Sequence, residues 1–145
     1  MDTTTHSNLQ QALRGEALAA LKYWLFEEQA EADGFEDVAD LFEQIGKEER
    51  REHGREIARL LDIPGTTRDN LGSALEGEVD EHRHLYPGFA SQARQVGEIE
   101  VAERFQELGA DEHRHADALR RELDRIGLAD EPVELEAAGA TPSDR

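Results

Sequence analysis

The chain is written twice. Asn8-Leu9-x-x-Ala12-Leu13-x-Gly15-Glu16 recurs, at an offset of 62, as Asn70-Leu71-x-x-Ala74-Leu75-x-Gly77-Glu78. Tyr23, Phe26, Gln29, Ala30 and Gly34 recur as Tyr86, Phe89, Gln92, Ala93 and Gly97, now at an offset of 63. Val38, Ala39, Phe42, Gly46 and Glu49 recur as Val101, Ala102, Phe105, Gly109 and Glu112 at that second offset. A repeat of this kind encodes one supersecondary unit that cannot bury its apolar face alone. Leu9, Leu13, Ala20 and Tyr23 step by three, four and seven, as do Val38, Leu41, Phe42 and Ile45, and Val101, Phe105 and Leu108. That period is helical; β-branched residues are scarce and no segment alternates. Gly34 and Gly97 interrupt the pattern at turns. Pro64-Gly65 ends one helix, and Thr66 or Thr67 can cap the next. The spacing predicts an all-α four-helix bundle of two hairpins within residues 1–129, with helices over about 7–32, 35–61, 67–94 and 98–127. Residues 130–145 read as a flexible acidic C-terminal tail. The extra residue between Glu78 and Tyr86 predicts a π-bulge in the third helix, where Pro87 also removes an N–H.

Composition narrows the function. Thirty-four acids against 16 bases give a formal charge of -18, which argues against nucleic-acid binding. The absence of cysteine excludes a disulfide scaffold, thiolate zinc, rubredoxin-type iron and a cysteine nucleophile in these residues. No apolar run is long enough for a membrane span, and the polar start Met1–Asn8 carries no secretory signal, so the expected location is cytoplasmic. Only Lys22 and Lys47 accompany the arginines. That balance fits adaptation to high salt and a merely acidic cytoplasmic protein equally.

The repeat puts acids on its apolar stripes. Glu16 shares a face with Leu9, Leu13, Ala20 and Tyr23. Glu49 and Glu52 follow Phe42 and Ile45, Glu78 and Glu81 follow Leu71 and Leu75, and Glu112 and His115 follow Phe105 and Leu108. Spacings of three and four keep each set on one side of its helix. Six inward carboxylates need a large positive charge among them, and few arginines lie on these stripes. Two metal ions satisfy that need.

These residues resemble the di-iron site of the rubrerythrins, in the ferritin-like superfamily, over about Asn8–Gly127. Leu-x-Gly-Glu, Tyr86-Pro87-x-Phe89-Ala90 and Glu112-x-x-His115 carry the resemblance. It implies a ferritin-like bundle in which Glu16, Glu49, Glu78, Glu81, Glu112 and His115 are ligands and Glu49 and Glu112 bridge two irons. It implies that Tyr23 and Tyr86 hydrogen-bond ligand carboxylates, the alternative being ordinary core aromatics. One departure stands out: the first hairpin has Glu52 where the resemblance asks for histidine, and His53 follows about 100° further round. Either Glu52 ligates or His53 substitutes after a local bulge; the stripe through Phe42 and Glu49 favours Glu52. His6, His82, His84 and His113 read as surface residues.

Carboxylates with imidazole suit iron, or manganese. The resemblance implies an oxidoreductase reducing hydrogen peroxide, or dioxygen, with electrons from a separate donor protein, beside Phe26, Phe42, Phe89 and Phe105. The alternatives are a ferroxidase or iron-binding protein without peroxidase turnover, and a metal-free acidic interaction module. The ferritin-like arrangement also makes the second and third helices parallel. Their link must then cover about 34 Å between Leu61 and Thr67, whereas Asp62–Thr66 reaches at most about 18 Å. A domain-swapped homodimer resolves this, each site taking Glu16, Glu49 and Glu52 from one chain and Glu78, Glu81, Glu112 and His115 from the other.

Overall fold

The computed structural model describes residues 1–129. The expected acidic tail, 130–145, lies outside the described residues. The described residues contain no strand. Their elements, in order, are α1 (Thr3–Ala32), α2 (Glu36–Glu48), a π-turn here called π1 (Glu49–His53), α3 (Gly54–Leu60), α4 (Thr67–Asp80), a second π-turn π2 (Glu81–Leu85), α5 (Tyr86–Gln95) and α6 (Ile99–Ala129). Because helix runs through both π-turns without a break, these are four long helices. They group into two compact units, Met1–Gly65 and the part beginning at Thr66. No helix among the described residues is long and apolar enough to cross a membrane.

Local chemistry explains the ends. The first helix begins at Thr3, ahead of the expected start near residue 7. Asp2 caps it, its Oδ2 accepting from Thr4 N at 3.0 Å and Thr5 N at 3.1 Å. Polar residues can thus be helical with no apolar stripe to reveal them. Gly34 and Gly97 turn the two hairpins at φ +80° and +82°, a region glycine enters without Cβ strain. Both turns close alike: Phe35 N–H donates to Ala30 O, and Glu98 N–H to Ala93 O, each at 2.9 Å. Thr66 is the cap of the third long helix. Its side chain accepts from Asp69 N while Asp69 Oδ2 accepts from Thr66 N, a reciprocal capping box.

Each hairpin is closed along its seam by small residues. Ala30 and Ala39 are buried in the first, and Ala90, Ala93, Ala102 and Ala116 in the second. Gly46 and Gly109 let the helices approach: a Cβ there would lie 3.2 Å from Tyr23 Cβ and 3.3 Å from Tyr86 Cβ. The large apolar side chains stay open, with Phe26 47% and Leu41 53% exposed in the first hairpin and Phe89 39% in the second. A buried methyl contributes about 0.8 kcal/mol, whereas ordering one residue costs about 1–2 kcal/mol, so alanine seams alone do not hold such helices.

The register of the repeat changes twice. The π-turn expected between Glu78 and Tyr86 is π2, closed by Tyr86 N–H donating to Glu81 O. It shifts the offset from 62 to 63. The second, π1, is closed by Gly54 N–H donating to Glu49 O and takes the offset back to 62. Gly54 and Ala116, related by that restored offset, are both buried at equivalent seam positions.

Candidate metal centre

In the first hairpin, α1 presents Glu16 and the α2–π1 junction presents Glu49 and His53. His53 Nδ1 donates to Glu49 Oε2 at 2.8 Å, with Glu16 Oε2 at 3.7 Å. The π-turn makes this possible. In a regular α-helix the third residue after Glu49 would take the inward place that His115 takes after Glu112. The fourth would fall about 100° further round. Glu52 would then face Glu16, and His53 would not. Absorbing one extra residue gives His53 the place Glu52 would have had. The preference for Glu52 over His53 is therefore reversed in placement. Glu52 is exposed and lines an outer cleft with Asp40, Glu43, Lys47 and Arg51.

The second hairpin repeats the arrangement. Glu78 comes from α4, and Glu112 and His115 from α6. His115 Nδ1 donates to Glu112 Oε2 at 2.7 Å, and Glu78 Oε2 lies 3.3 Å from the same nitrogen. In each group the candidate ligand atoms all lie within 4.8 Å of one another: Glu16, Glu49 and His53 in one, Glu78, Glu112 and His115 in the other. Glu81 is half-buried in π2 and lies outside the second trio, near Tyr86.

Crowding shifts the protons. Hydrogen bonding with Glu49, then burial, holds the Glu16 carboxyl above its ordinary range, while the same bond and then His53 hold Glu49 below. Of the two carboxyls, Glu16 is the one that holds a proton more readily. Glu78 is raised likewise, first by hydrogen bonding with Glu112 and then by burial. His53 is raised chiefly by its bond to Glu49, and His115 by its bond to Glu112. Burial, then Glu81, Glu112 and Glu78, push the Tyr86 phenol up. Neither tyrosine phenol has a hydrogen-bond partner among the described residues.

The residues fit a metal. Glu78 Oε2 is buried yet accepts no hydrogen bond, since the His115 proton is directed to Glu112. Paired carboxylates pressed together beside an imidazole mark a place a cation can take, and the carboxylate–imidazole set suits iron or manganese. Aromatic rings flank both groups. Phe42 lies 6.0 Å from Tyr23 and 5.5 Å from Phe26, and Phe105 lies 6.2 Å from Tyr86 and 5.4 Å from Phe89.

Of the remaining histidines, His6 and His84 are exposed, as expected. His82 is not a simple surface residue. It is half-buried and bonds the Gly109 carbonyl, and its ring stacks on that of exposed His113 at 4.6 Å.

The rubrerythrin family model matches residues 7–123. The chain belongs to the rubrerythrin family. It is similar to the rubrerythrins of Nitratidesulfovibrio vulgaris, Porphyromonas gingivalis and Clostridium perfringens, at 32%, 31% and 30% identity over 77%, 77% and 78% of its length. It spans 64%, 62% and 66% of those relatives. The strand-free helical hairpins agree with the all-α, ferritin-like class of rubrerythrins, and the two Glu-Glu-His groups are compatible with a di-iron site.

Proposed function

We propose that this rubrerythrin-family chain is a di-iron oxidoreductase that reduces hydrogen peroxide to water with electrons from a separate donor protein. The carrying observation is the pair of repeat-related groups, Glu16–Glu49–His53 and Glu78–Glu112–His115, each bringing two carboxylates and an imidazole within 4.8 Å of one another. Two bound irons supply two electrons to one O–O bond; with two protons, each peroxide gives two waters. Glu49 and Glu112 would hold both ions, Glu16 and Glu78 one each, with His53 and His115 as imidazole donors and Glu81 as a further donor. Glu52 stays outside. Tyr86, its phenol kept protonated, is the proton-bearing group nearest Glu81. Covered in an exchanged dimer, the phenylalanines would keep water from the centre.

Stopped-flow oxidation of the ferrous protein tests the reading. Hydrogen peroxide is expected to oxidise it faster than dioxygen does. Equal rates, or faster dioxygen, would instead identify a ferroxidase.

Each trio is half of a centre, and the halves are proposed to meet between two chains. Helix extends to Leu60 and resumes at Thr67, so the connector has the short reach that favours hairpin exchange. The open faces carrying Phe26 and Phe89 supply apolar surface for the contact. Glu49→Ala and Glu112→Ala chains, refolded together, should regain metal binding through mixed dimers holding one intact centre. A monomeric mass by light scattering, or no recovery on mixing, overturns the exchange.

A further inference from the structure

The first and second hairpins differ most within one short stretch. At the offset of 62, Glu81 corresponds to Ala19 and His82 to Ala20. There α1 runs unbroken from Thr3 to Ala32, whereas the second hairpin has π2. An extra acid, a histidine and an inserted residue have therefore arrived together.

The π-turn is poorly held by its own backbone. Tyr86 N–H reaches back to Glu81 O, and Pro87, next in line, has no N–H to offer the following carbonyl. A bond from outside the turn holds it in place instead. His82 Nδ1 lies 2.7 Å from the carbonyl oxygen of Gly109 in α6. A carbonyl can only accept, so Nδ1 carries the proton and donates. The approach is tight because Gly109 is buried and a Cβ there would sit 3.3 Å from Tyr86 Cβ. His113, one turn beyond Gly109, lays its ring over that of His82 at 4.6 Å and 29°. Imidazole, carbonyl and stacked ring together tie π2 to the turn of α6 that leads into Glu112.

We propose that His82 is a positioning residue: its bond to Gly109 fixes π2 against α6 and so sets where Glu81 stands relative to Glu78 and Glu112. This rests on the metal-centre reading above. His82 need not touch the metal; it acts through the backbone that carries Glu81.

The test compares the full chain with His82→Ala and His82→Asn, whose amide can place a donor near the Nδ1 position. Cobalt(II) titration should show about 10- to 100-fold weaker binding for His82→Ala, with an altered visible spectrum, and near-complete rescue by Asn. Hydrogen exchange on the metal-free protein should show faster exchange at Leu85 and Tyr86 in the Ala variant alone. Unchanged affinity and spectrum in His82→Ala, failure of Asn to rescue, or unchanged exchange each overturns the proposal while the metal centre stands. Wild-type protein that binds no cobalt overturns the centre and the proposal together.

Discussion

Gly54→Ala should change sign when one residue is taken out of π1. In the native chain the new Cβ would stand 3.1 Å from Glu49 O, a backbone atom already accepting the Gly54 N–H. Neither partner is a flexible side-chain end, so relief requires the turn itself to move. Overpacking of this kind costs about 1–3 kcal/mol, and replacing a helical glycine returns up to about 1 kcal/mol. The net expectation is a loss of about 1 kcal/mol. Removing Arg51, which is exposed, leaves Glu49-Arg50-Glu52-His53 contiguous, the Glu-x-x-His spacing of Glu112 and His115. The turn then relaxes to α-helix and His53 still faces Glu49. Position 54 becomes like Ala116, which is 2% exposed and already accommodates a methyl. In that background Gly54→Ala should stabilise by about 1 kcal/mol. The coupling of about 2 kcal/mol is within the range for interacting sites. Thermal denaturation of the four metal-free proteins reads it. At about 4 °C per kcal/mol for a chain of this size, the substitution should lower Tm in one background and raise it in the other. The deletion alone should keep cobalt(II) binding. A Gly54→Ala effect of equal sign and size in both backgrounds, or a deletion variant that binds no metal, would refute the register argument.

Glu112→Ala removes a carboxylate proposed to hold both ions and should lose most bound iron; elemental analysis still finding two ions per centre contradicts the ligand set. Metal-free stability should rise as pH falls from 8 toward 5. Glu16 and Glu78 are raised above 4.5 and His53 and His115 above 6.5, so the folded form holds extra protons whose stabilisation is lost as pH rises through the raised values. Metal displaces those protons, so iron should raise Tm strongly at pH 8 and little at pH 5; calorimetry showing a pH-independent gap refutes this.

The hairpins, the glycine turns and the π-bulge ahead of Tyr86 are legible in the sequence because they depend on periodicity or on a break in an exact repeat. The second π-turn is signalled more faintly. After Glu49 only scattered identities remain, among them His53 with His115, Arg59 with Arg121, Leu61 with Leu123 and Asp62 with Asp124, again at the offset of 62. Extending the stripe at about 100° per residue selects Glu52, since regular helix is the default; the match of His53 to His115 at the earlier offset is the signal that points the other way. His82 escapes a sequence reading for a different reason. Its partner is a backbone carbonyl far along the chain, on Gly109, and carbonyls carry no sequence identity. The two insertions share a logic. The repeat supplies the four carboxylates Glu16, Glu49, Glu78 and Glu112 and the imidazoles His53 and His115, and no extra acid. π1 turns His53 toward its carboxylates, matching His115, whereas π2 accompanies Glu81, which has no counterpart in the first hairpin. One insertion restores the symmetry of the donor set and the other breaks it. On the proposed reading, an uneven donor set would give two otherwise equivalent metal positions different coordination, which suits a centre that binds and releases an oxygen substrate at one side.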